Sequence, residues 1–310
     1  MRVIFFGTPL FSAHILSHLL QHGIDICAVI SKPDRPKGRS SIPIPTPVKT
    51  VALSFNLPIY QPEIVSSLDF APILQSYHAD LFVVVAYGEL IKQHLLDMPR
   101  IACINLHTSL LPKYRGAAPI QRSIIEGETE TGVTFIHMVK KMDAGNIIRQ
   151  IRIPIDSMTT FGELEESLCN ISKEELVRLI GDFEKAYIAG IPQDSSQVTF
   201  APKIELEDCS IDWNQPAQKI HNLIRGVNPY PGAWCNLTIQ GAKKRLKIYK
   251  SKVITYSSAS PGPIYPQKGN VIMATGDQAL ELIQVQLEGK KAMSSEELLR
   301  GLPFSAISWM

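Results

Sequence analysis

The chain has 310 residues, 45% of them hydrophobic and 19% charged, with a formal net charge of +2. That balance excludes a disordered or fibrous chain, and the length suffices for two domains. No apolar stretch approaches the roughly 20 residues of a membrane span, so no membrane association is expected.

The first apolar run, closed by Gly7-Thr8-Pro9, predicts a buried strand and a turn, and does not resemble a secretory leader. Residues 10–22 place Leu10, Ile15, Leu16, Leu19 and Leu20 at helical spacing, and 24–30 reads as a second strand. The turn lacks the further glycines of G-x-G-x-x-G, so a redox dinucleotide is not expected. His14, His18 and His22 have a spacing that can bind metal, yet no Cys joins them; they are expected to be exposed and unliganded.

Residues 31–47 are irregular, with five prolines and the basic residues Lys32, Arg35, Lys37 and Arg39. The segment reads equally as a surface loop or as a grip on a phosphate backbone. A helix over 48–55 and a short strand over 57–60 follow. Leu81 to Tyr87 is apolar throughout and rich in valine, as in a central parallel strand. Further strands are predicted over 101–107, 131–139 and 147–155, with helices over 118–126 and 161–187. Strands alternating with helices imply a Rossmann-like, mostly parallel sheet whose ligands bind beyond the carboxyl ends of the strands. Gly7, Tyr87-Gly88 and residues 105–107 fall at such ends.

The texture changes after about residue 190, where a polar linker is expected. One helix (217–224) precedes short strand-like runs at 234–239, 246–254, 269–274 and 279–285. Gly/Pro turns separate these runs, a pattern that predicts a small β-barrel. Charge also divides the chain. Residues 1–209 hold 19 Lys+Arg against 23 Asp+Glu, whereas 210–310 hold 12 against 6. A basic final third suits a polyanionic partner. Within it, Lys243, Lys244, Arg245 and Lys247 belong to K-K-R-L-K-I-Y-K-S-K, which in a strand makes either a cationic stripe for nucleic acid or a solvated edge guarded by lysines. The five cysteines are scattered with no C-x-x-C. They predict neither a zinc site nor a disulfide framework, and a reducing cytoplasm is the expected compartment.

Asn105 and His107, two apart on a predicted strand, point to one face beside a proline-stiffened loop. Asp143, in M-D-A-G with Gly145 permitting a turn, is the carboxylate best placed by context to join them. An amide that donates to an oxyanion, a cationic imidazole and a carboxylate that orients it are the parts of an acyl-transfer site. The trio contains no good nucleophile, which favours direct attack by the acceptor.

N-L-H (105–107), S-L-L-P-K-Y-R-G (109–116) and M-D-A-G (142–145) resemble the folate-dependent formyltransferase family. F-F-G-T-P-L-F (5–11), K-P-D-R-P-K-G-R (32–39), V-V-V-A-Y-G (83–88), R-G-A-A-P-I-Q-R-S (115–123), E-T-G-V-T (130–134) and R-G-V-N-P-Y-P-G-A-W (225–234) bring it nearest to members that formylate methionyl-initiator tRNA. The resemblance implies 10-formyltetrahydrofolate as co-substrate and no metal. It makes Asn105, His107 and Asp143 the catalytic trio, with Ser109, Leu110, Leu111 and Pro112 as a folate-contacting loop and Val85, Ala86, Tyr87 and Gly88 around the pterin. It further implies that the loop around Arg39 reaches the tRNA acceptor stem, and that an OB-like barrel adds tRNA contacts. The expected organisation is a catalytic domain over 1–190, a linker over 191–209 and an OB-like tRNA-binding domain over 210–310, acting as a monomer. Asn146 departs from the family, which often has Asp there, and the chain ends without the charged tail common among members. An amino-sugar nucleotide is the alternative acceptor, because such formyltransferases share N-x-H and S-L-L-P-K-Y-R-G.

Overall fold

Strands that are apolar on every residue must be covered on both faces, which places them inside a layered α/β arrangement. The computed structural model describes residues 1–36, 41–256, 260–264, 269, 271–302 and 307–309. By its contacts the chain divides into two units. One comprises Met1–Gly116, Thr131–Ile153 and Glu165–Ala201; the other comprises Ala117–Glu130, Pro154–Leu164 and Pro202–Met310.

The first unit contains strands β1 (Val3–Gly7), β2 (Ile26–Ile30), β3 (Arg35–Pro36), β4 (Pro43–Ile44), β5 (Ile59–Tyr60), β6 (Leu81–Val85), β7 (Ala102–His107), β8 (Arg115–Gly116), β9 (Glu130–His137), β10 (Ile147–Pro154) and β11 (Phe200–Ala201). Seven of them form one sheet in the order β10-β9-β7-β6-β1-β2-β5. From β5 to β7 every neighbour is parallel, and β9 reverses direction against β7. Every residue of β1 and β6 is buried. Ile4, Phe6, Ala28, Ile30, Phe82, Val84 and Cys103 pack in one core cluster, and the intervening residues face the other side. Thr46 caps the helix Pro47–Ser54, accepting the Lys49 N–H at 3.2 Å, and Pro47 starts that helix where no N–H partner is needed.

The predicted strand over 81–87 stops at Val85, because Ala86 takes a left-handed φ of 45° that no strand can continue. The expectation of three exposed histidines also needs correction. His14 and His22 are exposed, but His18 is half-buried, stacked on His22 at 4.0 Å and 3.3 Å from Glu174. Burial, and next the charge of His22, lowers its pKa. Among the described residues no group of three or more His, Cys, Asp or Glu is placed to hold a metal ion.

The second unit is built on β12 (Ala233–Ile239), β13 (Ala242–Ile254), β14 (Gly262–Ile264), β15 (Val271–Ala274), β16 (Ala279–Leu287), β17 (Met293–Ser294) and β18 (Ile307–Trp309). They form a curled antiparallel half-barrel in the order β14-β15-β16-β13-β12-β18, with β17 on β16. Register shifts around Lys250 in the β13–β16 ladder mark irregularities of the kind that bend a strand. Leu237, Leu246, Ile248, Leu280, Leu282 and Val285 fill its core with Ile220 and Ile224 from the helix Ala217–Gly226. That helix packs on the helix Pro119–Ile125, and Gly226 is required there because a Cβ would meet the Ile125 side chain at 2.7 Å. A helix at Ser295–Gly301 opens with a reciprocal Ser294/Glu297 capping box. No described helix is long and apolar enough to cross a membrane.

Candidate active site

The carboxyl ends of β1, β6 and β7 lie side by side, with Gly7 opposite Val85 and Val85 opposite Leu106. Three strands thus deliver Gly7, the 85–88 turn and His107 to one edge of the sheet, the edge where open α/β sheets bind ligands. The turn is pinned from below. Ser12 Oγ donates to the Val85 carbonyl at 2.6 Å, and Thr8 Oγ1 donates to the Tyr87 carbonyl at 2.9 Å. Ala86 and Gly88 are exposed, while Val85 and Tyr87 are buried. The Tyr87 hydroxyl has no hydrogen-bond partner among the described residues, and burial pushes its pKa up.

Asn105 and His107 share the face of Cys103 on β7, the amide half-buried and the imidazole 6% exposed. The His107 Nε2 lies 2.9 Å from the Tyr114 carbonyl oxygen, which can only accept, so Nε2 carries a proton. Its Nδ1 faces Asp143 Oδ2 at 3.8 Å. Both ring nitrogens therefore face oxygens, Nε2 within hydrogen-bond distance and Nδ1 beyond it. Asp143 adopts a left-handed φ of 52°, which Asp tolerates better than most residues. Its Oδ2 also accepts the Gly116 N–H at 2.9 Å. Gly145 completes the turn where a Cβ would overlap the His137 carbonyl oxygen.

The loop after His107 is held by a buried threonine. Thr134 Oγ1 donates to the Ser109 carbonyl at 2.6 Å and accepts the Leu111 N–H at 3.2 Å. Gln150 Nε2 donates to the Leu111 carbonyl at 2.9 Å, and Ser109 Oγ donates to the Lys113 carbonyl at 2.7 Å. Ser109 and Leu111 are buried; Leu110 and Pro112 are half-buried. Thr134 stands opposite His107 in the β7–β9 ladder, so one strand pairing sets both the histidine and the loop beyond it.

Sequence reasoning missed part of this site. Residues 191–201 hydrogen-bond into the first unit. Ile191 bridges Ile147, Phe200–Ala201 pairs with Arg115–Gly116, and Thr199 Oγ1 accepts the Tyr114 N–H at 2.9 Å. Gln193 lies between the Asp143 turn and Arg115 and bonds to both. No local pattern marks it, because its partners are about 50 and 78 positions away in sequence, a separation that only the folded chain closes. Thr134 sits in E-T-G-V-T, but nothing in that string signals a loop support. Asn146, where a carboxylate is common in the family, donates its amide to the Ala189 carbonyl at 3.3 Å, which an ionised Asp could not do.

The basic residues fall into two groups. Lys32 pairs with Glu89 at 2.6 Å with its ammonium 5.8 Å above the Tyr87 ring, and Arg35 pairs with Glu63 at 2.8 Å. Lys37 and Arg39 lie outside the described residues. In the second unit Lys243, Lys244, Arg245 and Lys247 all line one cleft of about 460 Å³, together with Asn236, Gln286 and Glu288. The Arg245 guanidinium lies 4.2 Å over the Trp234 ring, and Lys247 Nζ donates to the Pro231 carbonyl at 2.7 Å.

Residues 1–180 match the family described as Formyl transferase, and residues 203–303 match Formyl transferase, C-terminal domain. The chain is 64% identical over its full length, and over 98% of the relative, to the methionyl-tRNA formyltransferase of Protochlamydia amoebophila. The chain belongs to the methionyl-tRNA formyltransferase family. The protein of that name from Staphylococcus epidermidis is 41% identical, with 99% of this chain and 98% of that protein covered. Among solved structures, the sugar 3N-formyl transferase WlaRD, crystallised with dTDP and 5-N-formyl-THF, superposes with a TM-score of 0.69 at 20% identity, over 94% of this chain and 99% of that one. HypX from Aquifex aeolicus with tetrahydrofolic acid gives 0.64 at 16% identity, over 96% of this chain and 47% of that one. At these identities the two structures speak to the fold, an α/β sheet unit followed by an antiparallel half-barrel.

Proposed function

We propose that this enzyme transfers the formyl group of 10-formyltetrahydrofolate to the α-amine of methionyl-initiator tRNA. The observation that carries the reading is the convergence of Asn105, His107 and Asp143 at the carboxyl edge of the sheet, in a chain 64% identical to a methionyl-tRNA formyltransferase. Folate occupies the edge between the 85–88 turn and the 109–112 loop, with its formyl carbon before Asn105. The neutral amine, whose pKa is roughly 7.7–8.0 when unperturbed, attacks that carbon. The carbonyl oxygen becomes an oxyanion that Asn105 stabilises by donation and His107 by its charge, in a site where water is scarce and such charge counts for more. Asp143 keeps the imidazole oriented and balances its charge. As the tetrahedral intermediate collapses, the C–N10 bond breaks, the amine nitrogen gives up a proton and N10 takes one. Holding both substrates on one surface turns a two-body encounter into an aligned attack.

The first domain (1–190) carries this chemistry. The domain at 210–310 adds tRNA contacts through Lys243, Lys244, Arg245 and Lys247; of the connecting segment 191–209, residues 191–201 are hydrogen-bonded into the first unit. Lys32, Arg35, Lys37 and Arg39 form the second basic contact, toward the acceptor stem. The enzyme acts as a monomer in the cytoplasm. An amino-sugar nucleotide is the competing acceptor; the cleft lined by Lys243, Lys244, Arg245 and Lys247 favours a polyanion. Incubation with 10-formyltetrahydrofolate and charged initiator tRNA, an amino-sugar nucleotide or buffer alone separates the readings. Formylmethionyl-tRNA in the first tube alone supports the proposal; formyl sugar, or formate release independent of acceptor, removes it.

A further inference from the structure

Gln193 bridges three groups that belong to the site. Its Nε2 donates to the carbonyl oxygens of Asp143 and Gly145, each at 2.8 Å. Its Oε1 accepts from Arg115, at 3.2 Å from Nε and 2.6 Å from Nη2. Arg115 is itself 6% exposed, and its own chain neighbour Gly116 supplies the N–H that Asp143 Oδ2 accepts. The result is a closed circuit: Asp143 side chain to Gly116, Arg115 to Gln193, and Gln193 back to the Asp143 backbone.

The chemistry of the partners dictates the residue. A guanidinium only donates and two carbonyls only accept, so the side chain between them must do both. A primary amide does; a carboxylate cannot donate and an ammonium cannot accept. Asparagine has the chemistry but is one methylene shorter. The bridged turn is also the part of the site most in need of a tie, since Asp143 is held at a positive φ and its carboxylate must stay opposed to His107 Nδ1.

We propose that Gln193 is a positioning residue for formyl transfer, holding the Asp143 turn so that its carboxylate stays aligned on His107. The inference rests on the proposed role of Asp143. Gln193 touches neither substrate in that reading, so its loss acts on turnover and not on binding.

The test uses the full-length enzyme with Gln193→Glu, which keeps the shape but loses both donations, and Gln193→Ala as a second variant. Each should lower kcat about tenfold to a hundredfold, the cost of a displacement near 1 Å, with KM for folate and for charged tRNA unchanged. In an Asp143→Ala background, followed by single-turnover assays, the same Gln193 substitutions should change the rate by less than about twofold, because their effect passes through the missing carboxylate. Nitrogen-15 NMR of the His107 ring in substrate-free protein gives a readout independent of activity. The Gln193 variants should move the Nδ1 resonance in the direction that Asp143→Ala moves it. Wild-type kcat, an equal loss in both backgrounds, or an unmoved His107 resonance overturns the proposal. If Asp143→Ala itself leaves turnover intact, the functional reading fails instead, and the NMR result still decides whether Gln193 orders the turn.

Discussion

The carboxylate of Asp143 and the imidazole of His107 face each other at 3.8 Å, both nearly buried. The separation is longer than a hydrogen bond, so the two groups are set opposite each other by their own anchors and not by a direct bond. Those anchors are the Tyr114 carbonyl for the ring and the Gly116 N–H for the carboxylate.

Removing either partner should therefore stop catalysis without unfolding the protein. His107→Ala and Asp143→Ala are expected to lower turnover by several orders of magnitude, measured as formylmethionyl-tRNA formed in a single turnover. Circular dichroism should stay native. Turnover close to wild type in either variant would take the pair out of the mechanism.

Asn105→Ala removes one oxyanion donor from a half-buried position on the same face. The expected loss is about 10²–10³-fold in kcat. A change confined to KM would mean that the amide binds folate and does not act on the oxyanion.

Thr134→Val keeps the volume and deletes the hydroxyl that serves Ser109, Leu111 and Gln150. It should cost about 1–3 kcal/mol of stability, because buried backbone groups lose their partner. It should also raise KM for folate more than for tRNA, since the 109–112 loop is released. Denaturant titration and steady-state kinetics check the two parts separately.

The cleft lined by Lys243, Lys244 and Lys247 should make tRNA use salt-dependent. Alanine at each lysine that meets a phosphate should flatten the slope of log KM against log salt by roughly one. The KM for folate should not respond. An unchanged slope in the triple variant would move the tRNA contact elsewhere.

His221 supplies a pH dependence of stability. Burial, and secondarily the charge of Arg225, lowers its pKa, although donation to the Ser157 carbonyl acts in the opposite sense. Above about 6.5 the ring is neutral in both folded and unfolded chains. As pH falls below that value the unfolded chain takes up the proton first, so stability declines until the folded pKa is passed. His221→Asn should flatten this part of the melting-temperature profile below about pH 6.5; the same profile in the variant would exclude His221 as the cause.

Much of the fold was legible because its elements advertise themselves locally. The valine-rich run predicted as a central parallel strand over 81–87 forms one over 81–85, and the helix predicted over 161–187 from its apolar spacing runs over 161–185. Asn105 and His107 could be paired by counting, since alternate residues of a strand share a face. The short helix at Ser295–Gly301 was missed, although its S-x-x-E capping box is visible in the letters.

By itself, the sequence determined that apolar strands run toward Gly7, Tyr87-Gly88 and His107, that an amide and an imidazole share one face, and that basic residues gather in the final third. These are properties of neighbours along the chain, set by side-chain period and composition. Only the tertiary structure decided how Asp143 meets His107, why Thr134 governs the loop at 109–112, and that Gln193 ties the Asp143 turn to Arg115. Those contacts join residues that are distant in sequence and are made by backbone carbonyls and N–H groups common to every residue. No letter code carries them until the chain has folded and each buried polar group has found its partner.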